Sequence, residues 1–402
     1  MLKGKHILLS VTGSIAAYKI ASLASALKKQ EADITVLMTK NATNFINPIT
    51  FETLTGRKCL VDTFDRNFDF TVEHVSIAKQ ADIALVAPAS ADVIGKLANG
   101  IADDMLTTTL LACRCPVLVA PAMNTAMFEN SIVQDNLDKL RAHGVKVIDP
   151  ATGYLACGDT GAGKMPEPEV LLSHIVHTIG HEKDFAGKRV LITAGPTREA
   201  IDPVRFITNH STGRMGYALA EAAAVRGAEV ILVSGPVLLT PPLGVETVPV
   251  VSAAEMAAAV KARVADQDII ICCAAVADMR PAEAAPEKLK KADMTGELRL
   301  EQTEDILAWA GTHRWDGQVL VGFSMETENL IPNSRDKLQK KNIDMIVANN
   351  VRVKGAGFGT ETNVVTIITK EDTVELPLLG KDVVADRIFD AVRQYMEAVN
   401  LK

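Results

Sequence analysis

Three side chains in the first half of the chain are of types that move protons or hold polar ligands. They are His74 in Val72-Glu73-His74-Val75, Asn124 in Pro121-Ala122-Met123-Asn124-Thr125-Ala126-Met127-Phe128, and Cys157 in the glycine-rich run from Gly153 to Met165. A thiol with an ordinary pKa of ~8.5 is mostly protonated at neutral pH, gives up a proton and keeps a stable thiolate, which serine cannot do. Each of the three also has an ordinary structural reading: a lone histidine in a core, an asparagine in a turn, a cysteine packed as a small hydrophobe. Gly13 and Ser14 in Thr12-Gly13-Ser14-Ile15-Ala16-Ala17-Tyr18-Lys19, Thr39, and Ser90 in Ala87-Pro88-Ala89-Ser90-Ala91 are small or hydroxylated, suited to a phosphate and a ring. Singly they serve equally well as helix caps. In the second half, Asp202 to Gly216 contains Asn209 and the pair Gly213 and Gly216, which let backbone approach a ligand or pack a helix onto a sheet. Ala274-Ala275-Val276-Ala277-Asp278 ends an apolar run, and Pro286-Glu287-Lys288-Leu289-Lys290-Lys291 follows it. A lysine cluster by itself is usually a solvated face.

The elements that must position these residues follow a βαβ rhythm. Apolar runs at His6 to Val11, Ile34 to Met38, Ile83 to Ala87, Val117 to Ala120 and Val145 to Ile148 are the strands expected of the first half. Ile20, Leu23, Ala24 and Leu27 fall three or four apart, on one face of a helix that should cover the sheet. The rhythm restarts at Val190 to Thr193 and continues with Val230 to Val233, Ile269 to Cys272, Val319 to Gly322, Met345 to Ala348 and Val364 to Ile368. The expected fold is α/β, two tandem Rossmann-like domains with largely parallel sheets, joined in the polar stretch Gly180 to Gly187 and divided at 1–184 and 185–402. Ligands in such sheets bind beyond the carboxyl ends of the strands, so chemistry is expected there. Neither half holds a complete G-x-G-x-x-G, which disfavours an ordinary dinucleotide dehydrogenase.

Composition excludes other classes. At ~150 residues per domain, 402 residues make two or three domains. A net charge of −7 argues against a nucleic-acid binder. Six cysteines are too few for a disulfide scaffold and lack zinc spacing, and the thiols read as reduced. Nothing resembles a signal peptide or the ~20 apolar residues of a membrane span, so a cytoplasmic protein is expected. His174, His177 and His181 have helical spacing but no carboxylate or cysteine to complete a metal set.

The Gly-Ser-Ile-Ala-Ala-Tyr-Lys turn, the Pro-Ala-Met-Asn-x-x-Met segment and the flap carrying Ala-Cys-Gly-Asp resemble the flavin-dependent cysteine decarboxylases. Across nearly the whole chain the sequence is similar to the bacterial bifunctional decarboxylase and ligase family of coenzyme A biosynthesis. Phe128 departs from the pattern, many relatives having tryptophan there. The resemblance implies a flavodoxin-like first domain binding FMN through Gly13, Ser14, Ile15, Thr39 and Ser90. It implies His74 as a base near the flavin, Asn124 on the substrate carboxylate and Cys157 as the acid that protonates an enethiolate. FMN is the implied oxidant, because a cysteine carboxylate has no electron sink until its thiol becomes a thioaldehyde. For the second domain the resemblance implies activation of 4′-phosphopantothenate by CTP as an acyl cytidylate, followed by attack of cysteine. Lys288 would then stabilise the reacting phosphate and Asn209 hold the acyl intermediate. Ala274, Asp278, Lys288, Asp305, Phe323, Lys337 and Lys341 would form the nucleotide site, with Mg²⁺ bridging the triphosphate. A homo-oligomer with flavin pockets at subunit contacts is implied as well. Two other readings are a regulatory flavoprotein without catalysis and a flavin decarboxylase of another C-terminal cysteine, such as that of a peptide. His74, Asn124 and Cys157 together disfavour the first, and the ligase-like half disfavours the second.

Overall fold

Every apolar run expected as a strand is one. The computed structural model describes residues 1–63, 73–155, 158–290, 296–326, 330–350, 357 and 359–400, so Cys157 lies outside the described residues. The chain divides into two compact units, Met1–His181 and Glu182–Lys402.

In the first unit, β1 (His6–Val11), β2 (Asp33–Met38), β3 (Ile83–Ala89), β4 (Val117–Pro121) and β5 (Lys146–Val147) form one sheet in the order β2-β1-β3-β4-β5. All its pairings are parallel. Each residue of β3 is buried, as expected of a central strand covered by helices on both faces. On the helix Ala17–Lys29, Ile20, Leu23, Ala24 and Leu27 are all fully buried. Burial of each of the three larger side chains contributes roughly 1.5–3 kcal/mol. The glycine-rich run holds an antiparallel hairpin of β6 (Ala151–Tyr154) and β7 (Thr160–Lys164). Its strands lack the β-branched alternation that would have announced them.

The second unit carries an eight-stranded sheet. Its strands are β8 (Arg189–Ala194), β11 (Glu229–Ser234), β12 (Val245–Pro249), β13 (Ile269–Cys272), β16 (Val319–Glu326), β17 (Met345–Asn350), β19 (Val365–Thr369) and β20 (Thr373–Glu375). Paired short strands lie outside it: β9 (Arg198–Ala200) with β10 (Phe206–Thr208), β14 (Met279–Pro281) with β15 (Leu300–Gln302), and β18 (Thr362–Asn363) with β21 (Leu379–Gly380). The order β12-β11-β8-β13-β16-β17 is parallel throughout and is the doubly wound order in which the chain reverses direction between β8 and β13. β19 and β20 close the far edge antiparallel. Side-chain alternation sorts the helices: Arg214–Val225 and Lys381–Asn400 cover the face carrying Ile271, Val321 and Val347. Ala253–Lys261, Ile306–His313 and Leu330–Lys340 cover the face carrying Ile270, Leu320 and Ile346.

The start of this unit is fixed by Arg226, a fully buried guanidinium. Its Nε donates to Asp184 Oδ1 at 2.9 Å and its Nη1 to Asp390 Oδ1 at 2.9 Å, with the Phe185 ring 5.0 Å away. Asp184 therefore belongs with the second unit. A buried cation with two carboxylates tolerates loss of either partner poorly, because a desolvated charge would be left behind.

Candidate functional site

In the first unit the chain reverses direction between β1 and β3, and a cavity of about 810 Å³ opens at their carboxyl ends. Gly13, Ser14, Ile15, Ser90 and Asn124 all line it. Gly13 is fixed by close approach: a Cβ there would stand 2.7 Å from Asn41 Cβ. The helix Ala17–Lys29 begins beside the cavity with no side-chain cap and no acid in its first turn, so the positive end of its dipole faces that side uncompensated, although Ala17 N already donates to Ser14 O at 3.0 Å and Lys19 N to Ala16 O at 3.1 Å. Ser90 caps the helix Ala91–Asn99, its Oγ accepting from Val93 N at 3.4 Å. Its own N–H is held by Thr12, whose Oγ1 accepts from Ser90 N at 2.9 Å and donates to Pro88 O at 2.6 Å. Thr12 thus ties the ends of β1 and β3 together, a task its type alone did not announce.

Asn124 caps the short helix Thr125–Phe128 through Oδ1, and its Nδ2 donates to Asp159 Oδ2 at 2.8 Å. Asp159 lies between β6 and β7, in the same connection as Cys157. Met123 N donates to Gly163 O at 3.0 Å and Thr125 Oγ1 to Ala162 O at 2.9 Å, so the hairpin is stitched along the segment that follows β4. Two glycines of the hairpin are required by close approach. Gly163 has φ +121°, and a Cβ would fall 2.4 Å from Met123 O; at Gly161 it would fall 2.6 Å from Thr125 Oγ1. These two glycines dock the hairpin closely. At the rim, Lys19 Nζ bonds both oxygens of Glu167, at 2.7 and 2.8 Å. That ammonium holds the Glu167 carboxyl below the usual carboxylate range.

Two expected members are not brought to this cavity. Thr39 Oγ1 accepts from Ala42 N at 3.2 Å, capping a turn at the end of β2, and does not line it. His74 sits in the first turn of the helix Glu73–Gln80 and does not line it either. Among the described residues no three His, Cys, Asp or Glu side chains converge as metal ligands. His174 is instead a half-buried neutral imidazole: burial pushes it down to about 4, with Lys146 adding to the effect and Asp149 opposing it.

The unfolded imidazole, with a pKa near ~6.5, takes up its proton first, so stability falls as pH drops from ~6.5 towards 4. Allowing for solvent screening, the cost is about 1 kcal/mol at pH 5. His174→Gln should therefore lose less of its urea midpoint between pH 7 and pH 5 than wild type. Equal losses would place the acid sensitivity elsewhere.

In the second unit a cavity of about 290 Å³ lies at the carboxyl ends of β13, β16 and β17. Asn209, Ala274 and Phe323 line it, with Gly213, Arg214, Gly216, Cys273, Asn349 and Lys381. Gly213 starts the helix Arg214–Val225 at φ +79°, and at Gly216 a Cβ would stand 2.5 Å from Ala194 Cβ. One glycine shapes the ligand-facing turn and the other packs helix on strand. The loop after β13 is pinned to β8: Thr193 Oγ1 accepts from Ala274 N at 3.1 Å, Thr197 Oγ1 from Ala277 N at 3.0 Å, and Asn209 Nδ2 donates to Ala275 O at 3.0 Å. Burial pushes the Cys272 and Cys273 thiols up to about 12.

The remaining expected residues of this half lie outside that cavity. Asp305 caps the helix Ile306–His313, and its Oδ2 stands 2.9 Å from Lys341 Nζ. Burial works against ionisation of Asp305, but the Ala308 N–H and the Lys341 ammonium outweigh it and hold the carboxyl low. With Lys337 on the helix Leu330–Lys340, this pair belongs to the opposite face of the sheet. Asp278 and Lys288 are exposed. The backbone beside Lys288 is nevertheless fixed. Asp202, buried, accepts from Leu289 N at 3.2 Å, from Val204 and Arg205 N at 2.8 Å each, and from the Arg205 guanidinium, which holds its carboxyl far below the usual range.

Comparison with known proteins adds three findings. A family model described as Flavoprotein matches residues 1–180, and one described as DNA/pantothenate metabolism flavoprotein C-terminal domain matches residues 185–396. The chain is 49% identical over 385 residues to the Coenzyme A biosynthesis bifunctional protein CoaBC of Bacillus subtilis (strain 168), covering 95% of each chain. It is 40% identical over 394 residues to the protein of that name from Escherichia coli (strain K12), covering 97% of each. Among solved structures, the C-terminal domain of a Coenzyme A biosynthesis bifunctional protein CoaBC matches 53% of this chain and 99% of its own, at 49% identity and a TM-score of 0.46.

Proposed function

The chain belongs to the family of bifunctional coenzyme A biosynthesis proteins, and from that premise we propose how its two units divide a ligation and a decarboxylation. It is an enzyme with two activities, and its first half is a flavoprotein unit. The second unit joins 4′-phosphopantothenate to cysteine at the expense of CTP, and the first converts the product to 4′-phosphopantetheine and carbon dioxide. The observation that carries the assignment is Asn124, which lines the 810 Å³ cavity and bonds Asp159 in the connection that also contains Cys157.

The first cavity fits FMN. Gly13, Ser14 and the positive end of the helix Ala17–Lys29 suit its phosphate, while Ile15, Met123, Met127, Leu155 and Met165 offer an apolar bed for a flat ring. When bound, FMN supplies the hydride acceptor and donor that side chains lack. Asn124 holds the substrate carboxylate, and Cys157 gives its proton to the enethiolate left after carbon dioxide departs. His74 is the base, delivered by a second copy of the chain in a homo-oligomer. Its absence from the lining of its own cavity and the exposure of Ile15, Tyr18, Met127 and Tyr154 around the mouth support that assembly.

In the second unit the acyl substrate occupies the 290 Å³ cavity and the nucleotide the opposite face, near Asp305, Lys337 and Lys341. The two meet above Ala274 and Ala275, the crest between the faces. Lys288 stabilises charge on the reacting phosphate, and Asn209 orients the acyl intermediate for attack by the cysteine amine. Mg²⁺ would enter with CTP and offset the charge of its triphosphate. No described helix is long and apolar enough to cross a membrane, and a cytoplasmic site of action suits these small soluble substrates.

A mass spectrum of purified protein incubated with 4′-phosphopantothenate, cysteine, CTP and Mg²⁺ tests the reading. The expected product is 4′-phosphopantetheine, dependent on CTP. Absence of any product from a folded, yellow sample would overturn it in favour of a regulatory flavoprotein or another substrate.

A further inference from the structure

Lys381 begins the C-terminal helix Lys381–Asn400, is only 7% exposed, and lines the 290 Å³ cavity. Among the described residues no carboxylate pairs with it. Its Nζ donates to Gly357 O at 3.2 Å and Thr360 O at 2.6 Å, which uses two of three N–H donors and neutralises none of the charge. Burial, with Arg214 nearby, lowers its proton affinity. A buried cation facing a cavity without a counter-charge is costly until an anion arrives. The uncapped start of the helix Arg214–Val225 lies on the cavity wall, as does Arg214, whose guanidinium is paired with the Glu361 carboxylate and so leaves Lys381 as the cation without a counter-charge among the described residues. On the same wall Asn349, 9% exposed, has an Oδ1 with no hydrogen-bond partner among the described residues. That oxygen needs a donor. The cavity is thus shaped for a ligand with an anionic group at one point and a hydroxyl or amide N–H at another.

We propose that Lys381 and Asn349 make this cavity selective for a phosphorylated acyl substrate, Lys381 binding the phosphate and Asn349 Oδ1 accepting from a hydroxyl or amide of the same molecule. The inference rests on the reading of the second unit as the ligase and names the residues by which it tells a phosphorylated acid from its unphosphorylated counterpart. Lys381 is a positioning and specificity residue, because the activated carboxylate lies at the other end of the substrate.

The test uses the full-length protein loaded with flavin. KM values for 4′-phosphopantothenate and CTP in the ligation are measured, with inhibition by unphosphorylated pantothenate. In Lys381→Met the KM for 4′-phosphopantothenate should rise about 30-fold, because a charge-assisted bond to phosphate is lost. The KM for CTP should hold, and the preference for the phosphorylated over the unphosphorylated acid should shrink. Lys381→Arg should restore most of the loss, and Asn349→Leu should raise the same KM about 10-fold. A change of both KM values together, or an undiminished phosphate preference in Lys381→Met, would overturn the proposal, since loosening of the loop around Gly357 affects both substrates. Wild-type protein that ligates nothing would sink the ligase reading itself, a result distinguishable from either.

Discussion

In Cys157→Ser, formation of 4′-phosphopantetheine is expected to fall by about 10³-fold or more while ligation proceeds at the wild-type rate. The reason is acidity. The enethiolate left after decarboxylation needs a proton from a group that is protonated at neutral pH yet stable without the proton. A thiol near ~8.5 meets both conditions, and an alcohol meets only the first. Serine keeps the size and hydrogen bonding of the side chain, so the hairpin that bonds Asn124 through Asp159 should still dock. Loss of carbon dioxide precedes the step that fails. The variant should therefore release a stoichiometric amount of it and hold a product two mass units lighter than 4′-phosphopantetheine, the enethiol. Mass spectrometry of a single turnover on phosphopantothenoylcysteine reads this directly. Unchanged 4′-phosphopantetheine would remove Cys157 from the proton-donor role, and simultaneous loss of ligation would mean that the two units depend on one another.

Lys288→Gln should do the reverse, lowering CTP-dependent ligation by about 10²-fold or more while supplied phosphopantothenoylcysteine is still decarboxylated. Glutamine keeps two N–H donors on a slightly shorter side chain but removes the positive charge, and charge is what a reacting phosphate requires. The exposed side chain carries no packing, so the fold should be unaffected. Its neighbour Leu289 is held by the buried Asp202 carboxylate, which gives the lysine a defined origin despite its exposure. The measurement is phosphopantothenoylcysteine formed per unit time with each substrate saturating. A change in KM alone would make Lys288 a binding residue and not one that stabilises the reacting phosphate.

The strands and the buried helix face were legible because both are local. A run such as Ile83 to Ala87 is apolar at every position only if both faces of the strand are covered. Ile20, Leu23, Ala24 and Leu27 share a face only at helical spacing. The β6–β7 hairpin was not legible, since Ala-Thr-Gly-Tyr and Thr-Gly-Ala-Gly-Lys carry no alternation, and their pairing is fixed by what Gly161 and Gly163 touch. The site residues divide in the same way. Gly13, Ser14, Ser90 and Asn124 stand at strand ends and converge because strand ends converge in a parallel sheet. Thr39 stands at a strand end too, yet its hydroxyl caps a turn.

In the second half the sequence supplied a restart at Val190, a glycine turn and a set of cations, but not which face of the sheet each would occupy. Residue parity along β13 and β16 decides that. Cys273 and Phe323 belong to one face and Cys272 to the other, where Asp305 and Lys341 pair. Lys381 and Asn349 could not have been selected from the sequence at all, because a lysine before a helix and an asparagine at the end of a strand are ordinary surface residues until burial is known. The sequence by itself determined which segments are strands, where the second sheet begins, and the residue types available for chemistry, since these depend on neighbours a few positions away. Only the tertiary structure decided which side chains share a cavity, which glycines admit a close approach, and which polar groups lack a partner, because those depend on atoms brought together from positions far apart in the chain.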